Sequence, residues 1–178
     1  MIGVRIVQRS VGRAPLRSVI ALVVAATVLL LDQITKSIAI EQLLTGSRGG
    51  VGPFRFRLMA NRGVLMGLPA PTWLVFVAVA VLCVAAIRAV AADSGWAASV
   101  GWAVLVGGAS GNLVDRLQHR PRFPDHAVVD WIASSSLPTF NLADVAIVVG
   151  VVSLMMAGDT VGTAGRQAGL ASVTSRSD

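Results

Sequence analysis

The chain has 178 residues, 54% of them hydrophobic and only 13% charged, with a formal net charge of +6; it is too short for two large domains and too apolar for a disordered protein. A mean hydropathy of +0.74 points to lipid, and the cations, all arginine save Lys36, are scattered between apolar runs rather than gathered on one polar face, which excludes a nucleic-acid binder. The single cysteine, Cys83, lies inside an apolar run and reads as a small hydrophobe, so neither a disulfide framework nor a cysteine-based metal cluster is available.

A bilayer core about 30 Å thick takes roughly 20 mostly apolar helical residues, because the backbone must satisfy its own hydrogen bonds there. Four stretches meet that test, at about 18–38, 72–90, 96–113 and, shorter, 141–156. Arg5, Arg9, Arg13 and Arg17 precede the first apolar core as in a secretory signal, but no small-residue cleavage site follows and Leu31 runs into Asp32. The first stretch is therefore read as an uncleaved span. Four spans put both termini on one side. Basic residues divide almost evenly between the two sides, and the arginines before the first helix, which usually dominates, favour a cytoplasmic N-terminus.

Asp32 and Lys36, near the far end of span one, stand four apart with the acid first, the favourable order for an intrahelical pair, and read as structural. A glycine-rich turn then leads into Phe54-Arg55-Phe56-Arg57-Leu58, whose period of two predicts a short extramembrane strand within a strand region of about 45–67. In span three, Gly107 and Gly111 have the spacing that lets helices approach closely. Gly108, Asn112 and Arg116 share one face, which would hold an amide and a guanidinium against the bundle interior. Asp115 reads as structural, a partner for Arg116 or a helix-end charge. His119 and His126, with Asp125, lack metal-ligand spacing, so no metal is expected.

Two carboxylates differ in setting. Asp130, in Val128-Val129-Asp130-Trp131-Ile132, is flanked by apolar side chains that would desolvate it and raise its pKa. Asp144 falls in the first turn of the fourth helix, with Thr139 or Asn141 as cap, where the helix dipole favours the anion. Acids pushed apart in this way suit an aspartyl protease, one ionised to activate water and one protonated to polarise a carbonyl. From spacing alone, two acids near helix ends equally suit a proton or cation pathway. Residues 158–178, rich in Gly, Ser, Thr and Ala, read as a flexible tail, leaving 1–157 as one membrane domain.

The ordered motifs resemble one family. They are Asp32-Gln33-Ile34-Thr35-Lys36, Asn61-Arg62-Gly63, Gly108 with Gly111-Asn112-Leu113-Val114-Asp115-Arg116-Leu117, Val128-Val129-Asp130-Trp131, and Phe140-Asn141-Leu142-Ala143-Asp144. Together they resemble the bacterial lipoprotein signal peptidase, or signal peptidase II, family. The resemblance implies an all-α membrane protein of four transmembrane helices with a small extracytoplasmic β-cradle. It also implies an intramembrane aspartyl endopeptidase that removes the signal peptide from diacylglyceryl-modified prolipoproteins, cutting before the lipidated cysteine.

By that likeness Asp130 and Asp144 form the catalytic dyad. Asn61, Gly63, Gly108, Asn112, Arg116 and Asn141 bind substrate or support the site, and Asp32, Lys36 and Asp115 are structural beside it. Its partners are prolipoproteins and membrane lipids in the bacterial cell membrane, with no nucleic acid and no metal or organic cofactor. The chain departs from the family pattern where Val64-Leu65-Met66-Gly67 replaces a small residue followed by Phe, and in a longer, more basic connection from Arg116 to Asp130. The alternatives are a small proton or ion transporter, against which the missing inverted repeat counts, and an inactive lipopeptide-binding paralogue.

Overall fold

The computed structural model describes residues 13–46, 49–64, 68–69, 71–92, 95–120, 123–124 and 126–174. Arg5, Arg9, Leu65, Met66, Gly67, Pro121, Arg122 and Asp125, on which parts of the sequence reading fall, lie outside the described residues. Four helices dominate: α1 (Arg13–Leu44), α2 (Thr72–Ala91), α3 (Trp96–Leu117) and α4 (Leu142–Thr174). Between α1 and α2 run β1 (Gly50–Val51), β2 (Phe54–Asn61), β3 (Gly63–Val64) and β4 (Leu68–Pro69), and β5 (Val128–Ser134) joins α3 to α4.

Two helices are longer than their apolar cores. Glu41 and Gln42 prolong α1 past Ile38, because good helix formers continue until Gly46 turns at φ 91°. Helix α4 runs on past its apolar stretch to Thr174. No proline interrupts this stretch.

The distribution of side chains is that of a protein solvated by lipid. Residues Leu16–Leu44, Thr72–Ala91 and Trp96–Leu117 are each long and apolar enough to cross a membrane, and α4 adds the shorter apolar stretch Leu142–Gly158. Leu22 and Ile87 are about 70% exposed, and among the described residues Val79 is the buried one of α2. Asp32, Lys36, Asp115, Asp130 and Asn141 are instead buried completely or nearly so. Apolar side chains outside and charge inside is the arrangement a bilayer requires. Cys83 is half-buried on α2.

Helix α3 is central, packed against α1, α2 and α4. Its glycines set the distances. A Cβ on Gly107 would lie 2.7 Å from the Ala25 carbonyl oxygen of α1, and one on Gly108 would lie 2.6 Å from the Ala143 carbonyl oxygen of α4. These are the close approaches that small residues allow in membranes. Strands β1, β2 and β5 form an antiparallel sheet in the order β1-β2-β5, and β3 pairs with β4. A register shift between Phe56 and Met59 sets Met59 opposite Asp130 and Asn61 opposite Val128. Strand β5, read from sequence only as an apolar setting for Asp130, is thus the strand that carries this acid into the bundle.

Candidate active site

Helix α4 begins with a reciprocal cap. The Asp144 N–H donates to Asn141 Oδ1 at 3.0 Å, and the Asn141 N–H donates to Asp144 Oδ2 at 3.1 Å. This is a capping box with aspartate in the third position, which ties Asp144 to the helix start. Asn141 Nδ2 also donates to Asp130 Oδ1 at 2.7 Å. One asparagine therefore holds both carboxylates, one through its backbone and one through its side chain.

The second oxygen of each acid has its own donor. Asn61 Nδ2 donates to Asp130 Oδ2 at 2.9 Å, and Asn112 Nδ2 donates to Asp144 Oδ1 at 2.8 Å. None of the three amides is free to flip. Asn61 Oδ1 accepts the Gly63 N–H, Asn141 Oδ1 accepts the Asp144 N–H, and Asn112 Oδ1 accepts from Lys36 Nζ and Asn141 Nδ2, both at 3.0 Å. Each amide is oriented by a donor that cannot accept, or by a neighbour already oriented in that way. The Asp130 carboxyl, fully buried in β5, is pushed up from 3.8 to about 6, chiefly by burial and further by the Asp144 charge, against its bonds from Asn61 and Asn141. Asp144 is only half-buried.

Beneath the two acids lies a buried charge cluster. Lys36 Nζ is 2.8 Å from Asp32 Oδ2 and 2.9 Å from Asp115 Oδ2, with all three side chains inaccessible. The expected Asp32–Lys36 pair is present, and Asp32 Oδ1 also accepts the Ala143 N–H of α4 at 2.9 Å. A Cβ on Gly111 would sit 2.5 Å from Asp32 Oδ2, so this glycine makes room for the acid.

Asp115 faces Lys36, Gln33, Arg120 and the Val129 N–H rather than the adjacent Arg116. Neighbouring helical residues point about 100° apart, and Arg116 turns the other way. Its Nη2 donates to the Gly63 carbonyl at 2.6 Å and its Nη1 to the Asn112 carbonyl at 3.3 Å. The site residues expected from the sequence, Asp32, Lys36, Asn61, Gly63, Gly108, Asn112, Asp115, Arg116, Asp130, Asn141 and Asp144, thus lie in one connected neighbourhood. Gln33 and Arg120 were missed. Gln33 sits inside a quoted motif, whereas Arg120 carries no local signal. No group of three metal-ligating side chains occurs among the described residues, and His126 Nδ1 instead pairs with the Arg116 carbonyl oxygen at 2.9 Å.

Comparison with known proteins agrees with this architecture. The family model for signal peptidase (SPase) II matches residues 24–158. A lipoprotein signal peptidase of Bifidobacterium longum (strain DJO10A) is 34% identical over 148 residues, covering 82% of this chain and 81% of its own. One from Mycobacterium leprae (strain Br4923) is 34% identical over 145 residues, 80% of this chain and 72% of its own. A solved bacterial membrane enzyme superposes with a TM-score of 0.66 at 26% identity, covering 77% of this chain and 85% of its own. With the family model reaching from within α1 to within α4 and taking in the strands, α2 and α3 between them, the chain belongs to the signal peptidase II family and is a membrane protease.

Proposed function

We propose that this chain is an aspartic endopeptidase that removes the signal peptide from diacylglyceryl-modified prolipoproteins, cutting before the lipidated cysteine, with Asp130 and Asp144 as its dyad. The observation that carries the reading is the pair of carboxylates held by one residue, Asn141, each with a second amide donor. Asp144, half-buried and at a helix N-terminus, is the base that takes a proton from water. Asp130, buried and protonated further up the pH scale than an ordinary carboxyl, donates to the carbonyl oxygen as water attacks the carbon. As the C–N bond breaks, the proton held by Asp144 passes to the leaving amine and a diol hydroxyl returns its proton to Asp130, which restores the starting state.

Arg116 holds Gly63 at the start of β3, and Gly108 brings α4 close enough to α3 for Asn112 to reach Asp144. The sheet follows the end of α1 at Leu44, and the dyad lies at the same end of the bundle. With a cytoplasmic N-terminus, the site faces the exported side of the cell membrane, as processing of exported substrates demands. The four buried or half-buried acids form one cluster rather than a path through the bundle, which disfavours a proton relay.

The test is mass-spectrometric detection of a signal peptide released before a lipid-modified cysteine, at matched amounts of inserted enzyme. Asp130→Asn and Asp144→Asn should each cost about 1,000-fold or more in rate, and the double variant should be scarcely worse than either single. Substantial cleavage by either single variant would overturn the assignment.

A further inference from the structure

Helix α3 ends at Leu117, and after the exposed Gln118 and His119 the chain sends its next side chain inward. Arg120 turns back onto the buried cluster. Its Nη2 lies 3.1 Å from Asp115 Oδ1 and donates to Gln33 Oε1 at 2.9 Å, with the side chain 16% exposed. Gln33 is held by this contact, and its Nε2 donates to Asp115 Oδ1, Asp32 Oδ2 and the Gly111 carbonyl.

Asp115 is therefore a junction with four donors on two oxygens. Oδ1 accepts from Arg120 and Gln33, and Oδ2 accepts from Lys36 and the Val129 N–H at 3.0 Å. A carboxylate offers about four acceptor positions, so this one is saturated. The last of these donors lies one residue before Asp130. Arg120, Asp115, Lys36 and Asp32 alternate in sign along the cluster, and their charges cancel. Without Arg120 the cluster would hold two anions and one cation in a buried setting beside the dyad.

We propose that Arg120 is a positioning residue for the dyad: it neutralises the Asp32–Lys36–Asp115 cluster and, through Asp115, holds the strand that carries Asp130. The proposal rests on the functional reading above. Asp115 is bonded by Lys36 from α1 and by Arg120 from the connection, while the charges of Asp32 on α1 and Arg116 on α3 act on it without bonding to it. Asp130 is faced by Asp144 from α4, Lys36 from α1 and Arg116 from α3. Burial and Asp144 raise the Asp130 carboxyl while Lys36 draws it down, so the dyad already senses charge in this cluster. An uncompensated anion there makes ionisation of the dyad harder.

The test is the pH profile of kcat/KM for the full-length protein on a diacylated prolipoprotein. Arg120→Gln should move the limbs of the profile to higher pH by about 0.5–1 unit and, through lost positioning of β5, lower the rate at the pH optimum about 10-fold. Arg120→Lys, which keeps the charge, should retain the wild-type limbs. The Asp115→Asn, Arg120→Gln double variant is again neutral and should bring the limbs back, although its rate stays low.

A lower rate with unmoved limbs in Arg120→Gln would reduce Arg120 to scaffolding and overturn the proposal, as would limbs that stay displaced in the double variant. Failure of Arg120→Gln to accumulate while the neutral double variant accumulates supports the charge argument; failure of both overturns it. Wild-type protein that leaves the substrate uncut refutes the functional reading itself, whereas wild-type cleavage with unmoved limbs refutes only the role of Arg120.

Discussion

Replacing Asn112 with alanine is the most informative single perturbation of the site, because this amide joins the charge cluster to one acid of the dyad. Asn112 Nδ2 donates to Asp144 Oδ1 at 2.8 Å while its Oδ1 receives Lys36 Nζ and Asn141 Nδ2. Truncation removes one hydrogen bond to a charged acceptor, worth about 1.5–3 kcal/mol. It also leaves one Lys36 donor and one Asn141 donor without their acceptor. If the lost bond acts mainly in the transition state, the rate should fall about 10- to 100-fold at unchanged insertion. The assay is initial rate on a diacylated prolipoprotein, with enzyme amounts matched by immunodetection in the membrane fraction. A cycle with Asp144→Asn identifies the route. If Asn112 works through Asp144, the double variant should be no slower than Asp144→Asn alone. A rate within twofold of wild type for Asn112→Ala, or fully additive losses in the cycle, would refute this reasoning.

Other expectations follow from burial, space and charge. Asp130 has its pKa raised in the fold from 3.8 to about 6, so the folded protein holds more protons than the unfolded chain across that window and this group's contribution to stability falls as pH rises through it. The melting temperature of Asp130→Asn minus that of wild type should accordingly climb between those pH values and level off above; a flat difference would contradict the raised pKa. A Cβ on Gly111 meets Asp32 Oδ2 at 2.5 Å, whereas one on Gly158 meets nothing within 4 Å. Gly111→Ala should therefore destabilise the protein by about 1–3 kcal/mol and Gly158→Ala should not, as thermal unfolding in detergent would report. Reporter fusions and accessibility labelling should place the N-terminus and the end of α4 in the cytoplasm and Arg55 of β2 outside. An external N-terminus would put the site on the wrong face for exported substrates.

What could be read from the sequence was local. Runs of apolar residues gave the four spans, Gly107 and Gly111 gave a close helix contact, and Asp144 three residues after Asn141 gave a helix start. Strand β5 was not legible as a strand, because its partner β2 lies about 70 residues earlier and Phe54 pairs with Ser134 across the whole of α2 and α3. Asp115 had an obvious candidate partner in Arg116, but adjacency along a helix separates side chains, and its cations come from α1 and from the connection. The motif order pointed to the site's members through resemblance. Their bonding pattern, in which Asn61 reaches Asp130 and Asn112 joins Lys36 of α1 to Asp144 of α4, depends on contacts between distant segments that no spacing encodes.

The charge balance of the interior gives these contacts a common reason. Asp32, Asp115, Asp130 and Asp144 face Lys36, Arg116 and Arg120, so the described acids of the site outnumber its cations by one. In a medium of low dielectric an unmatched charge is costly, and the balance closes when the dyad holds a single proton. That is the state an aspartic mechanism requires, one carboxylate to accept from water and one carboxyl to donate. The cluster below the dyad thus does more than hold helices together. By matching Asp32 and Asp115 with Lys36 and Arg120 it leaves Arg116 and one shared proton to balance Asp130 and Asp144, so any substitution that alters the cluster's charge should change how tightly the dyad holds that proton. Neutral changes of shape at the same positions, which alter packing alone, should lower the rate without moving its dependence on pH.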